Sequence, residues 1–168
     1  LAVVDVADPS APRLLASLTG SGYAHSVSAD GRMCAVGNLY DGGCQIVDVS
    51  DPSAPVVTTV VRYTMYNEGW NVDLAGTRLA IVDYLSGIFF FDIADPAKPA
   101  RTGAVYTPSS IVAAAVRGRF AYAVGELSGL LVVDLADPAS PEVVGGTPIF
   151  RGVQGLAVAG DRAYVTDR

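Results

Sequence analysis

The chain has 168 residues, of which 51% are apolar, and its 11 basic and 17 acidic residues give a net charge of −6. Acidic residues outnumber basic ones, and the sequence lacks the stripe of basic residues that contact with a phosphate backbone requires. No nucleic-acid partner is therefore predicted. No apolar run approaches the roughly 18–20 residues of a membrane-spanning helix, so no membrane insertion is predicted within this segment.

In chain order, one segment recurs four times. It reads LAVVDVADPSAP from Leu1, CQIVDVSDPSAP from Cys44, IFFFDIADPAKP from Ile88 and LLVVDLADPASP from Leu130. Between these copies lies a second pattern, two short apolar runs around a turn with Gly31, Gly76, Gly118 or Gly160. Each unit of about 42 residues therefore predicts four strands, A to D, with a hairpin between A and B.

The unit boundaries divide the chain into five stretches. Residues 1–23 hold strands C and D only, 24–66, 67–109 and 110–152 hold all four, and 153–168 hold A and B. In the first complete unit the predicted strands are 25–29, 33–37, 44–49 and 56–62. We therefore predict a single domain with three complete units and a fourth that is split between the termini.

An Asp-Pro corner joins strands C and D in every unit. Proline presets φ for a turn, and a nearby carboxylate can accept backbone N–H bonds, so these residues are assigned a structural role. They are Asp5, Asp8 and Pro9; Asp48, Asp51 and Pro52; Asp92, Asp95 and Pro96; and Asp134, Asp137 and Pro138.

Strand C is apolar at almost every position, which is typical of a sheet covered on both faces. Antiparallel four-stranded sheets of this kind predict an all-β fold, a β-propeller built of stacked blades. The split unit could close a four-bladed ring, but a piece of a propeller of about six to eight blades is favoured. Further blades or a second copy would then complete the ring.

The motifs VVDVADPSAP, IVDVSDPSAP, FFDIADPAKP and VVDLADPASP, each next to an A–B hairpin such as GLAVAGDRAYVTD, resemble the LVIVD repeat. The resemblance covers essentially the whole chain. It implies a propeller of about seven or eight blades from a bacterial or archaeal protein, with an extracytoplasmic setting (secreted, periplasmic or cell surface) and no established catalytic residues.

Candidate ligand-binding residues lie in the D–A and B–C connections, which vary from unit to unit on one end of the blades. Aromatic anchors beside amide and carboxylate groups suit a protein or carbohydrate ligand. The candidates are Tyr23, His25, Tyr40, Asp41, Tyr66, Asn67, Glu68, Trp70, Arg151 and Gln154. An alternative interpretation is that Trp70 only packs at a blade junction.

No catalytic residue, metal site or cofactor is predicted, because the chain has one histidine and none of the common catalytic motifs. The predicted function is a non-catalytic binding or scaffold module of an exported or cell-surface protein. Two alternatives are a hydrolase or lyase at the channel mouth, using His25 and Glu68, and a purely structural repeat region. Cys34 and Cys44 are interpreted as separate buried thiols, although a bond across one hairpin is also compatible with the sequence.

Overall fold

The computed structural model describes residues 1–20, 22–40, 43–64, 69–107, 109–148 and 152–166. Sixteen strands and no helix lie within these ranges, so the described chain has no helix that could cross a membrane. The strands are β1 (Ala2–Asp5), β2 (Arg13–Ser17), β3 (Tyr23–Asp30), β4 (Met33–Leu39), β5 (Cys44–Asp48), β6 (Val56–Val61), β7 (Gly69–Ala75), β8 (Arg78–Asp83), β9 (Gly87–Asp92), β10 (Ala100–Tyr106), β11 (Ile111–Arg117), β12 (Phe120–Gly125), β13 (Gly129–Asp134), β14 (Glu142–Thr147), β15 (Gly155–Ala159) and β16 (Arg162–Thr166).

Within the described residues, the strands form three four-stranded sheets and two hairpins. Sheet I is β3 to β6, sheet II is β7 to β10 and sheet III is β11 to β14, each antiparallel and in chain order. The first half-sheet is β1–β2 and the last half-sheet is β15–β16. This confirms the predicted propeller architecture, and the open half-sheets are consistent with an incomplete propeller.

Strand A of each unit lies innermost, because β3, β7, β11 and β15 contact one another in succession. The A–B hairpins turn at glycines with φ between 57° and 60°, the left-handed region that glycine adopts without a Cβ penalty. Because the inner strands contact one another in succession, the sheets are stacked side by side around a common axis.

Apolar cores fill the spaces between adjacent sheets. On β9, Phe89 packs toward sheet I with Ile46 and Leu79, whereas the next residue, Phe90, packs toward sheet III with Val133. Successive side chains of a strand point to opposite faces, so each strand C contributes to two cores. This explains why the sequence of strand C does not alternate between apolar and polar residues.

Side chains from one inner strand also bond to the backbone of the next inner strand. Ser28 Oγ accepts from the N–H of Leu74 at 2.9 Å, and Asn71 Oδ1 accepts from the N–H of Ala114 at 3.0 Å. Strand A is a sheet edge, and its outward N–H groups would otherwise need another partner. These bonds add directional links to the apolar packing.

The two cysteines are free thiols, as the first interpretation held. Cys34 lies in the cluster between sheet I and the first half-sheet, whereas Cys44 lies in the cluster between sheets I and II. Although they are on neighbouring strands, their side chains project to opposite faces of the sheet. Burial raises the pKa of both thiols, that of Cys44 to about 12.

Candidate functional site

One end of the sheets carries the starts of the A strands and the B–C loops, and we call it the loop face. The described residues on this face include Tyr23, His25, Tyr40, Trp70, Tyr84, Leu85, Glu126 and Leu127. The predicted residues Asp41, Tyr66, Asn67, Glu68 and Arg151 lie outside the described residues. Of the two residues in the enzyme alternative, His25 and Glu68, only His25 lies within the described residues.

A β-bulge opens each of the first three complete inner strands. The register shifts at His25 between Ala24 and Ser26, and the same shift occurs at Trp70 and at Val112. A bulge leaves one residue without a cross-strand partner and redirects its side chain. The three positions are equivalent in the repeat, so each sheet has a different side chain at the bulge that begins its inner strand.

The bulges bring His25 and Trp70 together across the junction of sheets I and II. Their ring centroids are 4.5 Å apart, and the centroid of Trp70 is 4.8 Å from that of Tyr84. His25, Trp70 and Tyr84 thus form what we call the aromatic row. Contacts at these centroid distances stabilise ring pairs by about 0.5–1.5 kcal/mol beyond their area burial.

A hydrogen bond fixes the tautomer of His25. Its Nδ1 lies 2.7 Å from the carbonyl oxygen of Trp70. A carbonyl oxygen only accepts, so Nδ1 carries the proton, and Nε2 of the neutral imidazole is left as an acceptor. The exposed ring can therefore accept a hydrogen bond from a hydroxyl or amide group of a ligand.

The far end of the aromatic row was not found by sequence reasoning. Tyr84 donates its hydroxyl to Glu126 Oε1 at 3.4 Å, linking sheet II to sheet III. Tyr84 stands where the other units have Leu39 and Glu126, so it departs from the repeat. That departure is the signal by which it could have been recognised.

Exposed apolar side chains surround the row. Tyr40, Leu85 and Leu127 occupy equivalent positions of the B–C loops and are 75%, 66% and 86% exposed. Tyr23 lies beside Tyr40 with their ring centroids 6.3 Å apart. The loop face therefore presents one large apolar side chain per blade to solvent.

Gln154 occupies the position equivalent to His25 and Trp70 in the last half-sheet. It is exposed, and its backbone N–H donates to the carbonyl oxygen of Thr166 at 3.4 Å. Its side chain makes none of the described contacts with the aromatic row. The structure thus pairs Tyr23 with Tyr40 and His25 with Trp70, and leaves Gln154 apart.

The repeated aspartates bond to their own turns. Asp5, Asp48, Asp92 and Asp134 each accept from the N–H two residues later at 2.8–3.0 Å. Asp8, Asp51, Asp95 and Asp137 do the same at 2.9–3.1 Å. These carboxylates are engaged at the end of the sheets opposite the loop face.

Apart from the loop face, the described residues form few candidate ligand sites. No group of three or more His, Cys, Asp or Glu residues is close enough there to hold a metal ion. A hollow of about 250 Å³ lies between sheets II and III near Asp92 and Pro138, at the opposite end. Two of its lining residues, Asp92 and Pro138, belong to the repeated corner, and the others, which include Arg78, Phe90 and Thr102, differ between units.

Stacked four-stranded antiparallel sheets with inner A strands define a β-propeller. The chain belongs to the LVIVD-repeat family, whose model matches residues 1–19, 21–63 and 113–147, more than half of the sequence. Residues 64–112 lie outside the matched segments, although sheet II has the same strand order as its neighbours. No curated protein sequence matches the chain significantly.

Solved structures share the fold at low identity. The computationally designed Ika4 protein has a TM-score of 0.73 at 12% identity, over 92% of this chain and 91% of that one. Apo AztD from Citrobacter koseri has 0.57 at 19%, over 94% and 42%. Glutaminyl cyclase from Myxococcus xanthus has 0.54 at 21%, over 92% and 70%. These likenesses show the fold alone, and the chain spans less than half the length of AztD.

Proposed function

We propose that the chain is a non-catalytic binding module that holds a protein or carbohydrate ligand on its loop face. The observation that carries this proposal is the aromatic row, in which His25 from sheet I and Tyr84 from sheet II both contact Trp70. Its residues differ from those at the equivalent places of other units. Residues that break the repeat on a face of variable loops are candidates for contact with a ligand.

The chemistry of the row suits recognition. Tyr and Trp offer a large apolar surface together with one polar group, and such residues dominate the energetics of many interfaces. His25 adds an acceptor at Nε2, because its Nδ1 is held by Trp70. The row rests on strands of two packed sheets, so little ordering entropy is lost when a ligand binds.

The exposed side chains extend the surface outward from the row. Tyr23 and Tyr40 are 64% and 75% exposed and lie beside each other. We propose that they contact the ligand, together with Asp41, Tyr66, Asn67, Glu68, Arg151 and Gln154, the other candidates from the sequence. We also propose an extracytoplasmic setting, supported by the family, and treat residues 1–168 as one repeat domain with the unit boundaries given above.

A binding screen with matched variants tests the proposal. Tyr23→Ala and Tyr40→Ala remove exposed rings from the loop face, and Leu14→Ala, on the exposed face of β2, serves as the control. The chain is screened against a glycan array and a peptide array, and hits are measured by calorimetry. We expect each tyrosine variant to weaken binding at least about tenfold, with unchanged circular dichroism, and Leu14→Ala to have no effect. Absence of any hit, or equal binding by all variants, would contradict the proposal.

A further inference from the structure

The hollow between sheets II and III contains two opposite charges. Its volume is about 250 Å³, and both Arg78 and Asp92 line it. These residues face each other directly across β8 and β9, and facing side chains on antiparallel strands have Cβ atoms about 4.5–5.5 Å apart. Both sheets have all four strands, so each wall of the hollow is a complete blade.

Each of these charges keeps hydrogen-bonding capacity. Arg78 Nη1 donates to the carbonyl oxygen of Gly118 in sheet III at 2.6 Å, and the guanidinium has further N–H donors. Asp92 Oδ1 accepts from the N–H of Ala94 at 2.9 Å. Within the described ranges, no ion pair joins Arg78 to Asp92, and Asp92 Oδ2 accepts no hydrogen bond. The hollow therefore offers a donor group and an acceptor group to a ligand.

A departure from the repeat explains why Asp92 has no ion pair. In sheet III the equivalent Asp134 is held by Arg119, which donates from Nε to Oδ1 at 2.7 Å. Arg119 follows the glycine of the A–B turn, and sheet I also has an arginine there, Arg32. In sheet II the same position is occupied by Thr77, which has no guanidinium and lines the hollow.

Arg78 also departs from the other complete sheets. The first residue of strand B is Met33 in sheet I and Phe120 in sheet III, whereas it is Arg78 in sheet II. Because Arg78 reaches Gly118, its guanidinium lies at the junction with sheet III. Two adjacent positions, 77 and 78, thus differ from the other sheets, and together they create the charged hollow.

Apolar side chains form the rest of the lining. Phe90 and Leu135 are 5% and 4% exposed and belong to the core between sheets II and III. Pro138 adds an apolar surface from sheet III. It lies close to β10 because Gly103 has no side chain, and a Cβ there would be 2.5 Å from the carbonyl oxygen of Pro138. The lining is therefore fixed by packing, which lowers the entropy cost of binding.

We propose that this hollow binds a free apolar α-amino acid. The ammonium group of the ligand donates to Asp92 Oδ2, and its carboxylate accepts from the guanidinium of Arg78. Its side chain packs against Phe90 and Leu135. The site lies at the end opposite the loop face, so the proposal does not depend on the loop face binding a ligand.

The charges and the size of the hollow favour this class of ligand. A cation alone would face Arg78, and an anion alone would face Asp92, whereas a zwitterion complements both charges. Pockets for drug-sized ligands measure about 300–1,000 Å³, so a hollow of about 250 Å³ suits a smaller molecule.

Calorimetric titration of the whole chain with L-leucine and two analogues tests the proposal. Isocaproate has the carboxylate and the side chain of leucine without the amine, and isoamylamine has the amine and the side chain without the carboxylate. We expect L-leucine to bind at least about tenfold more tightly than either analogue, because each analogue leaves one charge of the hollow unpaired. No binding of L-leucine at millimolar concentration, or equally tight binding of one analogue, would overturn the proposal.

Variants of the lining residues locate the binding site. Asp92→Asn keeps an oxygen that can accept from Ala94 but removes the charge, and Thr77→Arg supplies the guanidinium that pairs with the equivalent carboxylate in sheet III. We expect each variant to weaken the binding of L-leucine by roughly tenfold or more. Thr77→Arg should remain folded in thermal unfolding, because sheets I and III already have arginine at this position.

Asp48→Asn is the matched control, because it changes the equivalent carboxylate of sheet I, which does not line the hollow. It should leave the binding of L-leucine unchanged. Binding that Asp92→Asn and Thr77→Arg do not weaken, or that Asp48→Asn weakens equally, would show that the hollow is not the site.

Discussion

Asp73 on the inner strand of sheet II accepts a hydrogen bond from the backbone N–H of Val116 on sheet III, with 2.6 Å between Oδ2 and N. Val116 is 1% exposed, so its N–H has no access to solvent as an alternative. We predict that Asp73→Ala lowers the free energy of unfolding by about 1–3 kcal/mol, since a buried donor loses its acceptor. Urea unfolding measures this, and Asp73→Asn, which keeps an acceptor oxygen, should recover part of the loss. Equal stability of Asp73→Ala and the parent chain would contradict the assignment.

Gly37 allows sheets I and II to approach closely. A Cβ built there would overlap the carbonyl oxygen of Gly69 and lie 2.5 Å from Ser26 Oγ. We predict that Gly37→Ala costs about 1–3 kcal/mol of unfolding free energy, because the two backbones must separate. Gly145→Ala is the matched control, since no atom lies within 4 Å of its Cβ position. Similar thermal unfolding of both variants would contradict this account of the junction.

The buried thiols should be inert in the folded chain. Desolvation raises the pKa of Cys44 to about 12, so its thiolate is scarce at pH 8, and the surrounding sheets also exclude reagents. We predict that neither cysteine reacts with an aromatic disulfide reagent at pH 8 within the time that a free thiol needs. Both should react after denaturation in concentrated urea. Rapid labelling of the native chain would show that sheet I opens locally.

A pH-dependent contribution to stability is expected from Asp134. The hydrogen bond from Arg119 to this carboxylate is the main cause that lowers the pKa of Asp134 to about 2. Because the folded pKa lies below the ordinary value of about 3.9, the contribution is complete above pH 4 and is lost as the pH falls toward 2. We predict that Asp134→Asn destabilises the chain at pH 7 but has a much smaller effect near pH 2.

The comparison for Asp134 is made by thermal unfolding at both pH values and at two salt concentrations. Arg119 is largely exposed, so added salt should reduce the difference between the variant and the parent chain. A difference that is the same at pH 7 and pH 2 would mean that the ion pair is not its source.

Repetition made most of the fold predictable. The four copies of the Asp-Pro corner located strands C and D, and the glycine turns located strands A and B. The predicted strand at 33–37 extends to Leu39 in the structure, and the one at 25–29 begins already at Tyr23. The strand ends were less predictable because the loop-face residues differ between units.

The candidate site was only partly accessible from the sequence. Its location followed from the variable loops, but the contact of His25 with Trp70 depends on bulges that no periodic pattern encodes. Tyr84 was not among the predicted residues, although it departs from Leu39 and Glu126 at the equivalent positions of the other units. The hydrogen bonds from the side chains of Asn71 and Asp73 to the backbone of the next sheet could not be predicted either, because they join residues of different repeat units.

The hydrogen bonds between inner strands also determine which part of the chain is expected to unfold locally first. In sheet III the positions equivalent to Asn71 and Asp73 are occupied by Ala113 and Ala115. Their side chains have no polar atom that could bond to the inner strand β15. Among the described residues, the last hairpin therefore packs on sheet III through apolar contacts, and no side-chain hydrogen bond of this kind joins the two. On gradual heating, or in hydrogen exchange followed residue by residue, its amides should exchange with solvent before those of the sheets that precede it.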